Sequence, residues 1–416
     1  MKKRVVITGM GCITPIGQTV DEFWANCIQG VKGFSKITLF DETSVKTSLV
    51  AEVSEFDPVK MLGRKQGRRL DRYAQFAVHA AREAFENAEI ELKDENSAKY
   101  ISSDRLGVCL GTGVGGVMTY EQEALNMSEQ GSTYVNPLLM PKWIPNMASA
   151  NVSMDLGIHG PVHTVSTACA SGIDAIGHAL LLIESGRVDA VLAGGSEACI
   201  TPTMISGFEN MGALSQESDP VKASIPFDLN RNGFVLGEGA AVLVVESLES
   251  AEKRGASIIA EIVGYGSSTD AHHLTAPHPE ALGGIKAIEL AFKDANIRPD
   301  QIDYINTHGT STPQNDKTES ICIHSVFGHH SENIPVNSTK SMVGHMQGAA
   351  GALETIVCAL SLQTSFIHPT SGTSMVDPEC DVQVVTGEKQ TKNLTYVLNN
   401  ALGFGGHNAA LVLKKF

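Results

Sequence analysis

An internally duplicated α/β fold is what this sequence predicts, and three observations predict it. Short runs of branched residues alternate with longer Gly- and Ala-rich apolar stretches, the pattern of strands followed by buried helices. The second half repeats the order of the first. The chain of 416 residues has 40 glycines, is 42% hydrophobic and only 19% charged, which suits a large, closely packed core. The expected division is into related halves, 1–256 and 257–416.

In order, residues 4–10 read as a buried strand and 21–29 as a short helix. The segment KMLGRKQGRRLDR at 60–72 collects Lys60, Arg64, Lys65, Arg68, Arg69 and Arg72 ahead of a helix at 73–88. Against a net charge of −15, this cluster reads either as a solvated helix start or as a place that steers an acidic partner. A strand at 106–110 runs into GTGVGG at 111–116. The spacing suits a nucleotide loop, but Glu121 and Glu123 come too early to hold a ribose, so close backbone packing explains the glycines better. The strand 162–165 leads through Ser166, Thr167, Ala168, Cys169, Ala170, Ser171 and Gly172 into an apolar helix ending at Ile183. Strands at 190–193 and 240–246 and a charged amphipathic piece at 248–255 complete the half.

The second half matches this series. A strand at 258–264 corresponds to 4–10, a helix at 283–295 to 73–88, and a strand at 303–306 entering a Gly/Thr loop to 106–110. The strand 334–338 leads through Thr339 and Lys340 into a small-residue helix at 348–362, as 162–165 leads into the cysteine helix. Strands at 394–399 and 409–413 close the chain. The expectation is two packed, parallel-rich sheets.

Composition narrows the function. The net negative charge argues against nucleic acid as a general partner. Cysteines at 12, 27, 109, 169, 199, 322, 358 and 380 are dispersed without CxxC pairs, so a reducing cytoplasm is expected. The short apolar run after the N-terminal KKR is broken by Gly and Pro and is no signal peptide. No stretch of about 18 apolar residues predicts a membrane span. Metal-ligand spacing is absent around the strongest histidines, so no metal site is expected.

Four stretches carry chemistry. Cys169 stands at a strand-to-helix turn, where unpaired backbone N–H groups and the helix dipole favour a thiolate and small neighbours admit a carbonyl; a buried structural cysteine fits the same pattern. INTHGTSTPQND at 305–316 presents His308 at a strand end, with Thr310 and Thr312 beyond. NSTKSMVGHMQGAAGALE at 337–354 presents Lys340 and His345 ahead of a helix that carries Glu354. NNALGFGGHN at 399–408 is a glycine hinge with one large apolar residue, Phe404. Each histidine alone fits a structural role, and the doublets His272-His273 and His329-His330 read as surface residues. The conjunction at equivalent ends of two halves points to catalysis.

On these residues the chain resembles the β-ketoacyl-acyl carrier protein synthases of the thiolase superfamily, most closely the elongating KAS II type of type II fatty acid synthesis. The resemblance runs from RVVITGMGCITPIG to GFGGHNAALVLKKF and is carried by TACASG, THGTSTPQND, STKSMVGHMQGAAGALE and GFGG. Val343, Asn232 and Thr307 depart from residues common in the family. The resemblance implies a thiolase-like fold, two α/β halves forming a five-layered α-β-α-β-α core. It implies transthiolation of an acyl chain onto Cys169, then decarboxylative Claisen condensation with malonyl-carrier thioester. The N–H groups of Cys169 and Phe404 would form the oxyanion hole, and neutral His308 and His345 would hold the malonyl thioester carbonyl. Lys340, paired with Glu354, would support the histidines. Thr275, Thr310 and Thr312 would bind the phosphopantetheine arm. Val114, Phe208 and Leu139 of the partner subunit would wall the acyl pocket, gated by Phe404. Lys65, Arg68 and Arg69 would dock the acidic acyl carrier protein. The implied enzyme is a cytoplasmic homodimer with no tightly bound cofactor.

Four rivals stay open or are weakened by particular residues. A ketosynthase of a type II polyketide or specialised lipid or polyene pathway would carry the same catalytic set. A non-catalytic chain-length factor is disfavoured by intact Cys169, His308 and His345. A cysteine hydrolase would need only one histidine and would release free acid. A degradative thiolase would need a second cysteine near the C-terminal loop, and GFGGHN has none.

Overall fold

The computed structural model describes residues 2–416. In the first half β1 (Val5–Ile13) is followed by α1 (Arg72–Asn87), β2 (Leu106–Gly111), α2 (Met147–Leu156), β3 (Val162–Val165), α3 (Ser171–Glu184), β4 (Ala190–Glu197) and β5 (Gly239–Ser247). In the second half β6 (Ala260–Thr269) is followed by α4 (Leu282–Ala295), β7 (Tyr304–Asn306), α5 (Pro313–Phe327), β8 (Pro335–Asn337), α6 (Ala350–Thr364), β9 (Gln383–Val384), β10 (Tyr396–Gly403) and β11 (His407–Lys414). Elements read from sequence are found within a few residues of their expected ends.

The strands form one hydrogen-bonded sheet in the order β9-β8-β7-β10-β11-β6-β1-β5-β4-β2-β3. Read outward from the centre, β1-β5-β4-β2-β3 is matched by β6-β11-β10-β7-β8, with β9 added at one edge. The halves join where the equivalent strands β1 and β6 pair antiparallel, Val5 opposite Ile262 and Ile7 opposite Ala260. The sheet is mixed where a parallel-rich one was expected. Outer pairs are parallel, β2 with β3 and β4, and β7 with β8 and β10. Inner pairs are antiparallel, because β10 turns directly into β11 and β4 and β5 likewise run in opposite directions.

Five layers result. Helices α1 and α2 pack on one half through Tyr73, Phe76 and Val152, and α4 and α5 on the other through Ile288, Phe292 and Phe327. Helices α3 and α6 touch each other and strands of both halves, so Ile173, Ile176, Leu353 and Ile356 form a buried middle layer. Every residue of β1 and β5 is buried, which is why these strands show no polar alternation. The duplication extends to single atoms. A Cβ on Gly11 would stand 2.1 Å from the carbonyl oxygen of Ala80 in α1, and one on Gly266 would stand 2.0 Å from that of Ala287 in α4. In both halves glycine lets the helix backbone lie directly on the strand. All eight cysteines are free and buried, and among the described residues no helix is long and apolar enough to cross a membrane.

Candidate active site

The strand β3 ends at Val165 and the chain turns sharply through 166–170. Ala168 has φ +51°, a left-handed conformation unusual for a residue with a Cβ. Local hydrogen bonds hold it there. Thr167 N–H donates to Ser171 Oγ at 2.8 Å, and that hydroxyl donates to the Ala168 carbonyl at 2.6 Å. Thr167 Oγ1 donates to Asp174, whose other oxygen accepts from Tyr265 of β6, so the turn is anchored to the opposite half. Cys169 stands just ahead of α3 and faces a cavity of about 360 Å³. Burial pushes its thiol up to about 11, against the opposing pull of the Lys340 charge and the Phe404 N–H. The expected helix-terminal thiolate is therefore a thiol at rest, because desolvation outweighs the turn's dipoles.

Three further loops close on the sulfur. His345 Nε2 is 3.0 Å from Cys169 Sγ. The N–H of Gln347 donates to His345 Nδ1 at 3.2 Å, so the ring carries its proton on Nε2 and donates it to sulfur. Backbone bonds from His345 N to Val235 O and from Gly237 N to His345 O fix this residue from both sides. The His308 ring lies edge-on to His345 with centroids 5.3 Å apart, and the reactive atoms of Cys169, His308 and His345 all lie within 4.8 Å of one another. Both imidazoles are held well below their usual range, first by burial and then by the Lys340 charge, so both are neutral. Lys340 Nζ donates to Glu354 Oε1 at 2.5 Å with both side chains buried.

Phe404 occupies the turn between β10 and β11, where Gly405 and Gly406 have φ +79° and +75°. Its ring centroid is 6.5 Å from that of Phe208, and both rings line the cavity with Cys169. Thr275, Thr310 and Thr312 line the same cavity, and the hydroxyls of Thr310 and Thr312 are 2.9 Å apart. One cavity thus adjoins a thiol, two neutral imidazoles and three threonine hydroxyls. That set can form a thioester and stabilise an enolate.

Models of known families match this chain in two blocks, "Beta-ketoacyl synthase, N-terminal domain" over residues 2–251 and "Beta-ketoacyl synthase, C-terminal domain" over residues 259–374. The chain belongs to the β-ketoacyl synthases. It is 46% identical over 414 residues to 3-oxoacyl-[acyl-carrier-protein] synthase 2 of Staphylococcus aureus (strain N315), covering 100% of this chain and 99% of that protein. Among solved structures it is similar to the ishigamide ketosynthase/chain length factor, at 36% identity and TM-score 0.92. It is also similar to a type II PKS acyl-carrier protein in complex with its ketosynthase bound to the hexaketide (AntDE:AntF), at 33% identity and TM-score 0.92. Both comparisons cover 100% of each chain.

Not every expected site residue lines this cavity. Val114 does not line the cavity; it packs with Phe208 in an apolar cluster behind it, its own N–H turned to Glu197. Leu139, in the short helix Leu139–Trp143, does not reach the cavity of its own chain. Lys65, Arg68 and Arg69 are exposed on the helix Arg64–Arg69, and among the described residues none forms an ion pair. Arg72 leaves that cluster, because its guanidinium grips the buried Glu238 carboxylate at 2.9 and 2.6 Å. The GTGVGG loop is closed by the protein itself, with Gly113 N–H donating to Glu197 at 2.6 Å.

Three site residues went unread in the sequence. Glu319 accepts from the N–H groups of His308 and Gly309, both at 2.7 Å, and from Asn400 at 2.6 Å; burial pushes its carboxyl up to about 7. It comes from α5, a helix whose sequence carries no apolar stripe. Glu197 pins the 113–114 loop and Gly348 together. Gln347, inside a quoted motif, places its side-chain oxygen 3.6 Å from Cys169 Sγ.

Proposed function

We propose that this protein is a 3-oxoacyl-[acyl-carrier-protein] synthase of the KAS II type, extending fatty acyl chains by two carbons. The observation that carries the reading is the placing of Cys169 Sγ 3.0 Å from His345 Nε2, with neutral His308 facing the same cavity.

In the first step Cys169 Sγ bonds the acyl carbon of the carrier thioester and the carrier's S–C bond breaks, the thiol proton leaving with the carrier arm. The His345 Nε2–H and the Phe404 N–H stabilise the sulfur as its proton departs. The N–H groups of Cys169 and Phe404 serve as the oxyanion hole. Malonyl-carrier thioester then binds, and its carbonyl oxygen accepts from His308 and His345. Loss of CO₂ leaves an enolate whose carbon attacks the acyl-cysteine, and the Cys169 thiolate is expelled and reprotonated from water. Decarboxylation supplies the carbanion, so the site needs hydrogen-bond donors rather than a strong base. Burial, and after it the charge of Lys340 held by Glu354, keeps both imidazoles neutral.

The remaining assignments belong to the same reading. Thr275, Thr310 and Thr312 hold the phosphopantetheine arm of acyl- and malonyl-loaded carrier protein, and no tightly bound cofactor is used. Phe404 gates the acyl pocket, walled by Phe208 and by Leu139 of the partner subunit. Lys65, Arg68 and Arg69 dock the carrier. The protein acts as a cytoplasmic homodimer, divided at residues 256 and 257. In favour of the dimer, Tyr120, Leu125, Met127, Leu138 and Met140 form exposed apolar surface around residues 117–140. A second reading, a ketosynthase of a type II polyketide or specialised lipid pathway, draws support from the full-length likeness to a type II PKS ketosynthase.

Intact-protein mass tests the proposal. Mixing with acyl-carrier thioesters should add one acyl group at Cys169, and malonyl-carrier protein should then discharge it as a 3-oxoacyl product two carbons longer. No adduct with any acyl chain, or free acid without extension, would refute it.

A further inference from the structure

Arg231 lies outside the cavity, and only 4% of its side chain is exposed. A guanidinium is enclosed at that depth only where its N–H groups find acceptors. One end meets a charge, Nη1 donating to Asp377 Oδ2 at 2.6 Å and to the Asp228 carbonyl at 2.9 Å. The other edge grips a loop, Nη2 donating to the Pro313 carbonyl at 3.1 Å and Nε to the Thr312 carbonyl at 3.4 Å. Thr312 and Pro313 line the cavity. Arg231 therefore holds, from outside, residues that wall it.

The turn into α5 does not keep its shape unaided. Gly309 and Ser311 have φ +36° and +66°, and Ser311 carries the strain of a left-handed residue with a Cβ. Residues on either side of Arg231 clamp this turn. The Ile225 N–H donates to Ser311 Oγ at 3.0 Å, the Gly233 N–H to the Ser311 carbonyl at 3.0 Å, and the Phe227 N–H to Asp316 Oδ2 at 2.8 Å. Those bonds fix Ser311 and Asp316, and Arg231 fixes the carbonyls of Thr312 and Pro313 between them. A planar fork meets two carbonyls at once, whereas a lysine ammonium is a single point charge on a flexible stem. What the grip preserves is the pair Thr310 and Thr312, whose hydroxyls are 2.9 Å apart. With one hydroxyl donating to the other, the pair keeps one free O–H and open lone pairs, the complement of a secondary amide.

We propose that Arg231 is a positioning residue for the carrier's arm, acting through the Thr312 and Pro313 carbonyls to set the Thr310 and Thr312 hydroxyls against an amide of phosphopantetheine. The inference rests on the reading of those threonines as the arm's partners.

The test follows acylation of Cys169 by intact mass against the concentration of acyl-pantetheine, and separately with an acyl thiophenyl ester that has no arm. In Arg231→Lys the half-saturating concentration of acyl-pantetheine should rise about tenfold, while the maximal rate and the rate with the thiophenyl ester stay those of wild type. A merely structural role predicts equal loss with both esters; that result, or an unchanged half-saturating concentration, overturns the inference. Asp377→Asn separates the grip from the ion pair. It should lower Tm and leave half-saturation by acyl-pantetheine unchanged, and a rise equal to that in Arg231→Lys overturns the inference. Arg231→Gln, which retains an N–H₂ for one carbonyl, is read by the same outcomes should Arg231→Lys fail to fold. Thr312→Ala tells the two layers apart. Unchanged half-saturation in that variant removes the threonine reading and the inference with it, whereas a rise there without one in Arg231→Lys overturns the inference alone.

Discussion

Between β3 and α3 the chain uses only residues 166–170, whereas between the equivalent β8 and α6 it uses 338–349. The short junction makes a strained turn that holds one reactive atom, the Cys169 sulfur. The long junction has room for Lys340, His345 and Gln347, each aimed at that sulfur or its surroundings. The second strands show a related contrast. The loop after β2 is glycine-rich and pinned by Glu197, while the loop after β7 carries His308 and is pinned by Glu319. On the proposed reading, one scaffold built twice supplies the nucleophile from one copy and the donors that polarise its substrate from the other. Neither half contains a complete site.

The sharpest way to break this division is to remove the single atom the first half contributes. Cys169→Ala should lower chain extension by at least ~10⁴-fold with no acyl adduct by mass, while circular dichroism stays that of the native protein. The wild-type thiol, pushed up to about 11, should react with iodoacetamide at a rate rising about tenfold per pH unit between pH 7 and 10. A plateau near neutral pH would show a thiolate at rest and contradict the burial argument.

The donors of the second half should behave differently. His308→Ala and His345→Ala should still accept an acyl group at Cys169 but lose condensation by about 10²–10⁴-fold. Loss of acylation to the same extent as condensation in both variants would mean that the division between the halves is wrong. The linked stability effect has a definite sign. Each imidazole is held below its usual value of 6.5, so the unfolded chain binds the proton first and stability falls as pH drops below about 6.5. Glu319, pushed up to about 7, acts in the opposite direction, losing its contribution as pH rises through 7. The difference in thermal midpoint between wild type and His345→Asn should therefore shift in the variant's favour from pH 7.5 to 5.5.

Where the halves are alike, paired substitutions should give like effects. Gly11→Ala and Gly266→Ala each place a Cβ within 2.1 Å of a helix carbonyl, so each should destabilise the protein by about 1–3 kcal/mol, read as a lowered Tm. A large effect in one half alone would show that only one helix–strand contact is tight.

How far the sequence reveals all this follows from the range of the interactions. The turn around Cys169, the histidine after β7 and the duplicated order of elements are local patterns, and they are where the sequence places them. What escapes is set by long-range burial. The thiol's protonation depends on desolvation by elements hundreds of residues apart. Glu319 lies on a helix that opens with Pro313 and carries mixed polar residues, so no apolar stripe announces it. The antiparallel meeting of β1 with β6 at the centre of the sheet joins distant residues, and no local signal encodes it.

The basic segment at 60–72 tests the same distinction at the surface. By sequence Arg72 looks like one more member of the cluster, but its guanidinium is bound to Glu238, whereas Lys65, Arg68 and Arg69 point to solvent. Reversing those three charges to Glu should slow acylation from carrier protein about tenfold at low salt, an effect that fades as salt is raised. Acylation from a small acyl thioester lacking the carrier should be unchanged, because none of the three lines the cavity. Arg72→Glu should instead lower Tm and reduce both activities together, since it leaves the Glu238 carboxylate buried without its partner. Equal loss with both substrates on reversing Lys65, Arg68 and Arg69 would remove the docking role and leave the cluster as a solvated helix start.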